Sequence, residues 1–218
     1  MQNAKDSFYV ALRTRLAAVN AERTILLRGA LRPGIVVEEA RPLIRVRHDY
    51  PEKAVLLDVW RVSRFSGGAH GREGQSIAWV RPGELCRHDF PAANHPIITA
   101  ARLPSKYLVT PEPGWDRHGF LFRLRRLIAG GLTLVQLRAK HLPAPVYSDL
   151  AREVVALCDA AGAQVLLNGA PSLVAERGAA GVHLSGDRLM ALQSRPLPPD
   201  RWVAASCHDE RAIRHACR

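Results

Sequence analysis

Short apolar runs alternate with segments of helical periodicity in the second half of the chain, and this pattern predicts repeated β/α units. Five runs are typical of strands: YLVT (107–110), TLVQLR (133–138), QVLLNG (164–169), GVHLS (181–185) and WVAAS (202–206). Strands that alternate with helices form parallel sheets. We therefore predict an α/β fold with a parallel sheet in this half of the chain.

Upstream of residue 100 the order differs, because strands come first and a helix follows. Alternating apolar and polar positions in RPLIRVRHDYP (41–51) and AVLLDVWRVSRFSGG (54–68) predict an antiparallel hairpin with a proline-containing turn. SIAWVRPGEL (76–85) predicts another strand, and HDFPAANHPIITAARL (88–103) a short helix after a proline-rich approach. We expect residues 34–100 to form a separate α/β unit.

Two further segments complete the predicted organisation. Residues 1–33 form an unassigned segment in which Phe8–Leu27 fits an amphipathic helix. Three prolines mark 101–113 as a linker, and the second domain then covers 105–218.

The charge balance raises the question of a nucleic-acid partner. Lys and Arg number 31 against 20 Asp and Glu, which gives a net charge of +11. The positive residues are scattered, and the densest group lies on a predicted helix: Arg117, His118, Arg123, Arg125 and Arg126. A solvated helix face explains this group, and the sequence has no aromatic-interleaved RNA motif or zinc-finger spacing. We expect no nucleic-acid partner.

Other sequence features bear on compartment and membrane association. No apolar run approaches the roughly 18 residues of a membrane span, and the first residues contain no uninterrupted apolar signal segment. The four cysteines show no CxxC spacing, which favours reduced thiols. We expect a cytoplasmic protein without a membrane partner, and the oligomeric state stays open.

Polar residues gather where the predicted parallel strands end. Ligands of parallel α/β folds bind beyond the carboxyl ends of the strands. Six side chains should face this mouth: Gln136, Arg138, Lys140, Asn168, Ser206 and His208. Alternation along the strand puts the first three on one side. Arg, Lys and amide side chains suit a phosphorylated, anionic ligand, although solvated charges at the end of a strand would give the same pattern.

Five motifs in this half carry a resemblance to a known family. They are YLVT (107–110), AGGLTLVQLRAK (129–140), LLN (166–168), AAGVHL (179–184) and ASCH (205–208). Over roughly 105–218 the chain resembles the thiamine phosphate synthase/TenI family. The resemblance implies a (β/α)8 TIM-type barrel and a role in thiamine biosynthesis. With about five of eight strands, we expect an incomplete barrel, truncated relative to the family.

The resemblance also implies roles for single residues. Gln136, Arg138 and Lys140 match family residues that bind the diphosphate of an aminopyrimidine substrate. Asn168 matches another ligand-binding position, and Ser206 matches a serine near the pyrimidine ring. His208 could be a general base, but the sequence offers no partner for it, so we interpret it as structural.

The Mg2+ site that the family implies is altered in this sequence. Gly169 stands where the synthases carry one metal-binding Asp, and Arg188 where they carry the second. Asp187 lies one residue early and could bind the metal only if the loop shifts. Mg2+ offsets charge on the leaving diphosphate, so its loss puts catalysis in question. His183 lies in the middle of a predicted strand, so a core histidine fits the pattern as well as a functional one.

Residues 34–100 resemble the C-terminal half of a Nudix hydrolase that removes oxidised nucleotides. The resemblance rests on the hairpin, EGQSIAWV (73–80) and FPAANHPII (90–98). It implies that Asn94 reads a purine base, while the alternative is a helix cap before Pro96.

The glutamate-rich Nudix box itself is absent. Counting back from Gly34, its metal-binding glutamate positions hold Arg32, Leu31 and Arg28. Glu38 and Glu39 follow the motif and do not replace it. Mg2+ needs hard oxygen ligands, so we expect no nucleotide hydrolysis.

Three functional interpretations remain at this point. The chain could be a thiamine phosphate synthase, a transferase that couples an aminopyrimidine diphosphate to a thiazole phosphate. It could instead be a TenI-like module that binds a phosphorylated pyrimidine-type ligand without turnover. The third possibility is an inactive fragment of a Nudix–synthase fusion. The altered metal positions favour the second and third.

Overall fold

The computed structural model describes residues 9–17, 25–27, 35–67 and 82–217. The chain divides into two compact units, Met1–Leu103 and Pro104–Arg218. Within the described residues no helix is both long and apolar enough to cross a membrane.

The described residues of the first unit form a four-stranded antiparallel sheet in the order β2-β1-β4-β3. Its strands are β1 (Tyr9–Ala17), β2 (Ile25–Leu27), β3 (Ile35–Tyr50) and β4 (Lys53–Gly67). The predicted hairpin is confirmed as the β3–β4 pair, with the turn at Pro51 and Glu52. Strand β3 begins earlier than the alternating pattern indicated, whereas β4 matches its predicted run to within one residue at each end.

The helix expected at Phe8–Leu27 is wrong. This segment contributes β1 and β2, and β1 pairs with β4 from Tyr9↔Val62 to Ala17↔Ala54. Strand β1 supplies partners for backbone N–H and C=O groups at the edge of β4 that does not pair with β3. Local periodicity cannot reveal this long-range pairing. Residues 9–17 and 25–27 therefore share one sheet with 35–67.

A short helix follows the hairpin, as the sequence predicted. Helix α1 (His95–Arg102) is preceded by 3-10 helices at Pro82–Arg87 and Ala92–Asn94. The strand predicted at 76–85 is wrong from Pro82 onward, because a proline lacks the N–H that a strand ladder needs; residues 76–81 lie outside the described residues. Ile97 packs with Val55, Leu57 and Val59 in the core of this unit.

The second unit contains a five-stranded sheet in the order β5-β6-β7-β8-β9, with every neighbouring pair parallel. Each strand lies within one of the five predicted runs, so this prediction is confirmed. The strands are β5 (Leu108–Val109), β6 (Leu134–Leu137), β7 (Gln164–Leu167), β8 (Gly181–Leu184) and β9 (Trp202–Ala205).

Helices follow the strands in the β/α order that the sequence predicted. They are α2 (Arg117–Ala129), α3 (Ala144–Ala160), α4 (Ser172–Arg177), α5 (Gly186–Ala191) and α6 (Glu210–Ala216). The basic group at 117–126 lies on α2, as expected. Asp116 caps this helix, because its side chain accepts a hydrogen bond from the backbone N–H of Gly119 at 2.7 Å.

One face of the parallel sheet packs against the helices and forms the core. Leu137, Leu167 and Val182 are fully buried there, together with Leu150 and Val154 of α3. Side chains alternate between the two faces of a strand. Gln136, which precedes Leu137 in β6, and the corresponding alternate residues of the other strands therefore point to the opposite face.

That opposite face is concave. Strands β5 and β8 are separated by two others, so in a flat sheet they would lie roughly 14 Å apart. The Tyr107 hydroxyl, next to β5, nevertheless lies 3.3 Å from Nδ1 of His183 on β8. A tyrosine side chain reaches this ring only if the sheet curls toward it.

Candidate functional site

The register of the parallel strands brings four polar residues to the concave face. Gln136 pairs with Leu166, two residues before Asn168, and His183 pairs with Ala204, two residues before Ser206. Period-two alternation then puts Gln136, Asn168, His183 and Ser206 on the same face. All four lie toward the carboxyl ends of their strands, where α/β folds bind ligands.

A chain of hydrogen bonds runs across this face. The His183 ring contacts the Tyr107 hydroxyl through Nδ1 at 3.3 Å and Ser206 Oγ through Nε2 at 3.0 Å. Asn168 Nδ2 donates to the backbone carbonyl of His183 at 3.0 Å. His183 therefore links Tyr107, next to β5, to Ser206, which follows β9. Asn168 holds the backbone carbonyl of His183.

Partial desolvation favours the neutral forms of the two ionisable side chains in this series of hydrogen bonds. Desolvation lowers the pKa of His183 from its ordinary value and raises the pKa of Tyr107 to about 12. A neutral imidazole donates through one nitrogen and accepts through the other. The Tyr107–His183–Ser206 chain can thus present a hydroxyl of defined orientation to a ligand on the concave face.

The loop after β5 holds the loop after β6. The buried Thr110 hydroxyl accepts from the Arg138 backbone N–H at 3.0 Å and donates to the Arg138 carbonyl at 3.2 Å. Glu112 Oε1 accepts from the Lys140 backbone N–H at 2.8 Å and lies 3.9 Å from Arg138 Nη1. These contacts set the direction in which the Arg138 and Lys140 side chains leave the backbone.

A cleft of about 650 Å³ opens at the carboxyl ends of β6, β7 and β8. Its floor includes Tyr147 of α3, whose hydroxyl donates to the Leu137 carbonyl at 3.0 Å. Burial raises the pKa of Tyr147, while the nearby Arg188 guanidinium opposes that rise. The polar and charged side chains of the lining are those of Lys140, Tyr147, Asn168, Ser172, Ser185, Asp187 and Arg188.

The structure brings only some of the predicted site residues into this cleft. Lys140, Asn168 and Asp187 line it, whereas Ser206 lies on the concave face against His183. Gln136 is buried within β6, and Arg138 is half-buried beside Glu112. Strand β6 ends at Leu137, so the alternation that predicted a common direction for Gln136, Arg138 and Lys140 stops before the last two.

Asn94 belongs to the first unit, and His208 is not among the residues that line the cleft of the second. Asn94 precedes α1 at the N-cap position, but its side chain makes no capping hydrogen bond. The cap interpretation of this half-buried residue is therefore wrong, and base reading by Asn94 stays a prediction. His208 is exposed at the carboxyl end of β9.

In the part of the chain that the structure describes, the lining of the cleft lacks the ligands of a divalent metal ion. Among the residues that the structure describes, no three His, Cys, Asp or Glu side chains cluster. Asp187 is the one carboxylate of the cleft lining, and it stands beside the cations Lys140 and Arg188. Mg2+ is held by carboxylate and other oxygen ligands, and this donor set does not fit it.

Four residues of this region were missed as functional candidates: Tyr107, Thr110, Glu112 and Tyr147. His183 was recognised only as a possible core histidine. Thr110 and Tyr107 belong to the YLVT motif, so their position at the carboxyl edge could have been noticed. Their hydrogen-bond partners could not be predicted, since both partners belong to segments that are distant in the sequence.

Comparison with known proteins identifies the family of this half of the chain. The family model described as thiamine monophosphate synthase matches residues 106–218. The chain belongs to the thiamine monophosphate synthase family. The match covers the parallel sheet, the cleft lining and the Tyr107–His183–Ser206 hydrogen bonds. This half is therefore a thiamine phosphate synthase/TenI-like domain linked to thiamine biosynthesis.

Curated members of the thiamine monophosphate synthase family give the same result. The chain is 41% identical over 88 residues to a thiamine-phosphate synthase of Thermus thermophilus, covering 40% of this chain and 43% of the relative. It is 36% identical over 105 residues to a putative thiamine-phosphate synthase of Geobacter sulfurreducens, covering 48% and 49%.

A third relative is the thiamine-phosphate synthase of Thioalkalivibrio sulfidiphilus. Identity is 31% over 112 residues, which cover 51% of this chain and 53% of the relative. The chain therefore spans about half the length of the curated relatives that it matches.

Proposed function

We propose that the Pro104–Arg218 unit binds a phosphorylated pyrimidine-type ligand and that this chain alone does not complete a synthase reaction. The curled parallel sheet corresponds, in this proposal, to part of a (β/α)8 barrel. The phosphate end of the ligand occupies the cleft, and the ring lies toward Ser206 on the concave face. The relatives that match this unit are named thiamine-phosphate synthases.

The charge of the cleft is the observation that carries this proposal. Lys140 and Arg188 line one cavity with the amide of Asn168, and Asp187 is the one acidic group of the lining. Charged donors attract phosphate oxygens, and a guanidinium can bind two of them at once. Ser206, held by His183, offers a hydroxyl to a heterocycle nitrogen.

Calorimetric titration of the full chain with the aminopyrimidine diphosphate tests the binding. We expect measurable binding that weakens as salt is added, because exposed charges are screened. Lys140→Ala should reduce the affinity about tenfold, since a hydrogen bond to a charged group contributes roughly 1.5–3 kcal/mol. Lys106→Ala, an exposed lysine outside the cleft lining, is the control. Equal loss in both variants would contradict the assignment.

A coupling assay with thiazole phosphate tests turnover. The cleft offers one carboxylate where charge on a departing diphosphate would have to be offset, so we expect no thiamine phosphate from the purified chain. Formation of product would overturn this part of the proposal and identify the chain as a transferase.

For the first unit we propose a Nudix-like origin without nucleotide hydrolysis. An antiparallel hairpin followed by a short helix supports this relation, and Asn94 keeps a side chain unused by the helix cap. Glu38 pairs across the hairpin with Arg64 at 3.1 Å, which gives it a structural role. Mg2+-dependent release of diphosphate from an oxidised guanine nucleotide would contradict the proposal.

A further inference from the structure

Two cations, Lys140 and Arg188, line the cleft, and no carboxylate among the described residues pairs with either. Among the described residues, the Lys140 ammonium and the Arg188 guanidinium take part in none of the ion pairs. Glu112 contacts Lys140 only through the backbone N–H. Asp187 and Arg188 are neighbours in sequence, but they form none of these ion pairs. Both cations are therefore available to a ligand.

Neutral groups around the cations are partly committed to the protein. Asn168 Nδ2 donates to the His183 carbonyl, and Ser185 Oγ accepts from the Arg188 backbone N–H at 3.4 Å. The Ser172 hydroxyl lies in the same lining. The strongest donors left for a ligand are the guanidinium fork of Arg188 and the ammonium of Lys140, which suit phosphate oxygens.

Arg188 and Lys140 belong to the lining of the same cleft, and they reach it from different strands. Arg188 follows β8 and Lys140 follows β6. Tyr147 lies in the same lining, and the charge of Arg188 opposes the rise in the Tyr147 pKa that burial causes. A diphosphate between them would meet positive charge from two directions.

We propose that this cleft binds a diphosphate group without a divalent metal ion, with Arg188 supplying the positive charge that a metal would otherwise supply. The proposal rests on the proposed function, since it concerns the same ligand end in the same cleft. Free Mg2+ neutralises a diphosphate in solution. It should therefore leave the affinity unchanged or lower it, and the arginine and lysine should carry the binding.

Calorimetric titration of the full chain with inorganic pyrophosphate, in EDTA and in excess Mg2+, tests this directly. We expect binding in EDTA, and an affinity that is equal or lower with Mg2+. Arg188→Ala and Lys140→Ala should each lower the affinity in EDTA about tenfold. Arg126→Ala, which removes an exposed arginine of α2, should change it less than about twofold because it alters only the distant field.

The outcomes separate this inference from the proposed function. Binding of pyrophosphate only when Mg2+ is present would overturn metal independence and leave the ligand assignment intact. An equal loss in Arg126→Ala and Arg188→Ala would also overturn it, since general charge attraction would then explain the binding. If neither pyrophosphate nor the aminopyrimidine diphosphate binds under either condition, the proposed function itself fails.

Discussion

Single polar atoms organise the carboxyl edge of the second unit. The Thr110 hydroxyl satisfies both backbone groups of Arg138, and the His183 ring joins Tyr107 to Ser206. A buried donor or acceptor that loses its partner is costly, because water cannot replace it. These residues therefore contribute to the site by fixing loops and hydroxyls, whether or not they touch a ligand.

Replacing Thr110 with valine should destabilise the second unit. Valine keeps the shape of threonine, but it would leave the N–H and carbonyl of Arg138 without their partner. We expect a loss of about 1–3 kcal/mol in the free energy of unfolding, measured by urea denaturation. The exposed Thr133→Val is the matched control and should stay within about 0.5 kcal/mol. Equal effects of the two substitutions would show that the Thr110 hydroxyl is dispensable.

The lowered pKa of His183 predicts a pH dependence of stability. The unfolded chain binds a proton at this residue near pH 6.5, while burial keeps the folded form neutral to lower pH. The unfolded state then holds more protons, so the contribution of His183 is complete above pH 6.5 and is lost as the pH falls. Between pH 7.5 and 5.5, His183→Gln should lose less stability than the parent chain.

Urea midpoints at both pH values measure this difference. His208→Gln removes an exposed histidine and should retain the pH dependence of the parent chain. If His183→Gln and the parent chain lose the same stability between the two pH values, the half-buried ring does not contribute as argued.

At the scale of elements, the pairing of β8 with β9 brings His183 beside Ser206. Gly181 begins β8 opposite Trp202, and a Cβ at this glycine would lie 2.1 Å from the Trp202 carbonyl oxygen. The obstacle is backbone of the neighbouring strand, which cannot move without breaking the ladder. The close approach of the two strands thus requires a residue without a side chain at position 181.

Gly181→Ala should weaken the sheet at this pair. We expect destabilisation of at least about 1–3 kcal/mol, the usual range for overpacking, read as a lower thermal midpoint. Gly169→Ala is the matched control, because its Cβ would meet Tyr147 Cε1 at an ordinary 3.5 Å. A thermal midpoint that falls no further in Gly181→Ala than in Gly169→Ala would contradict the packing argument.

The parallel strands could be predicted from the sequence because each element carries its own local signal. Runs such as GVHLS are short, apolar and bounded by a glycine and polar residues, and the helices between them follow their own period. The same reasoning failed at Phe8–Leu27. There the deciding interaction is the pairing of β1 with β4, some forty residues away in the chain.

The site was predictable only in outline for a related reason. The family motifs identified Lys140 and Asn168, and both line the cleft. The contact between Tyr107 and His183 depends on how strongly the sheet curls, which no local pattern encodes. The direction of Arg138 likewise depends on Glu112, a residue of another loop.

At the scale of the whole molecule, each unit has a hydrophobic core of its own. The larger core comprises buried residues from Phe120 to Ala212, all within Pro104–Arg218. The smaller one comprises residues from Val55 to Ile97, all within Met1–Leu103. A unit with its own core has the main requirement for folding alone, and the family match at 106–218 coincides with the larger core.

Residues 104–218, expressed alone, should fold cooperatively and keep the affinity of the full chain for inorganic pyrophosphate. All the side chains that line the cleft come from this range, and so do their hydrogen-bond partners Leu137 and His183. Thermal unfolding followed by circular dichroism should give one sigmoidal transition, and calorimetry a dissociation constant within about twofold of the full chain, since no cleft residue is removed. The same fragment carrying Arg188→Ala should show the about tenfold loss expected in the full chain. A fragment that melts without a transition would mean that the larger core needs the first unit. A folded fragment that no longer binds would mean that residues 1–103 contribute to the anion site.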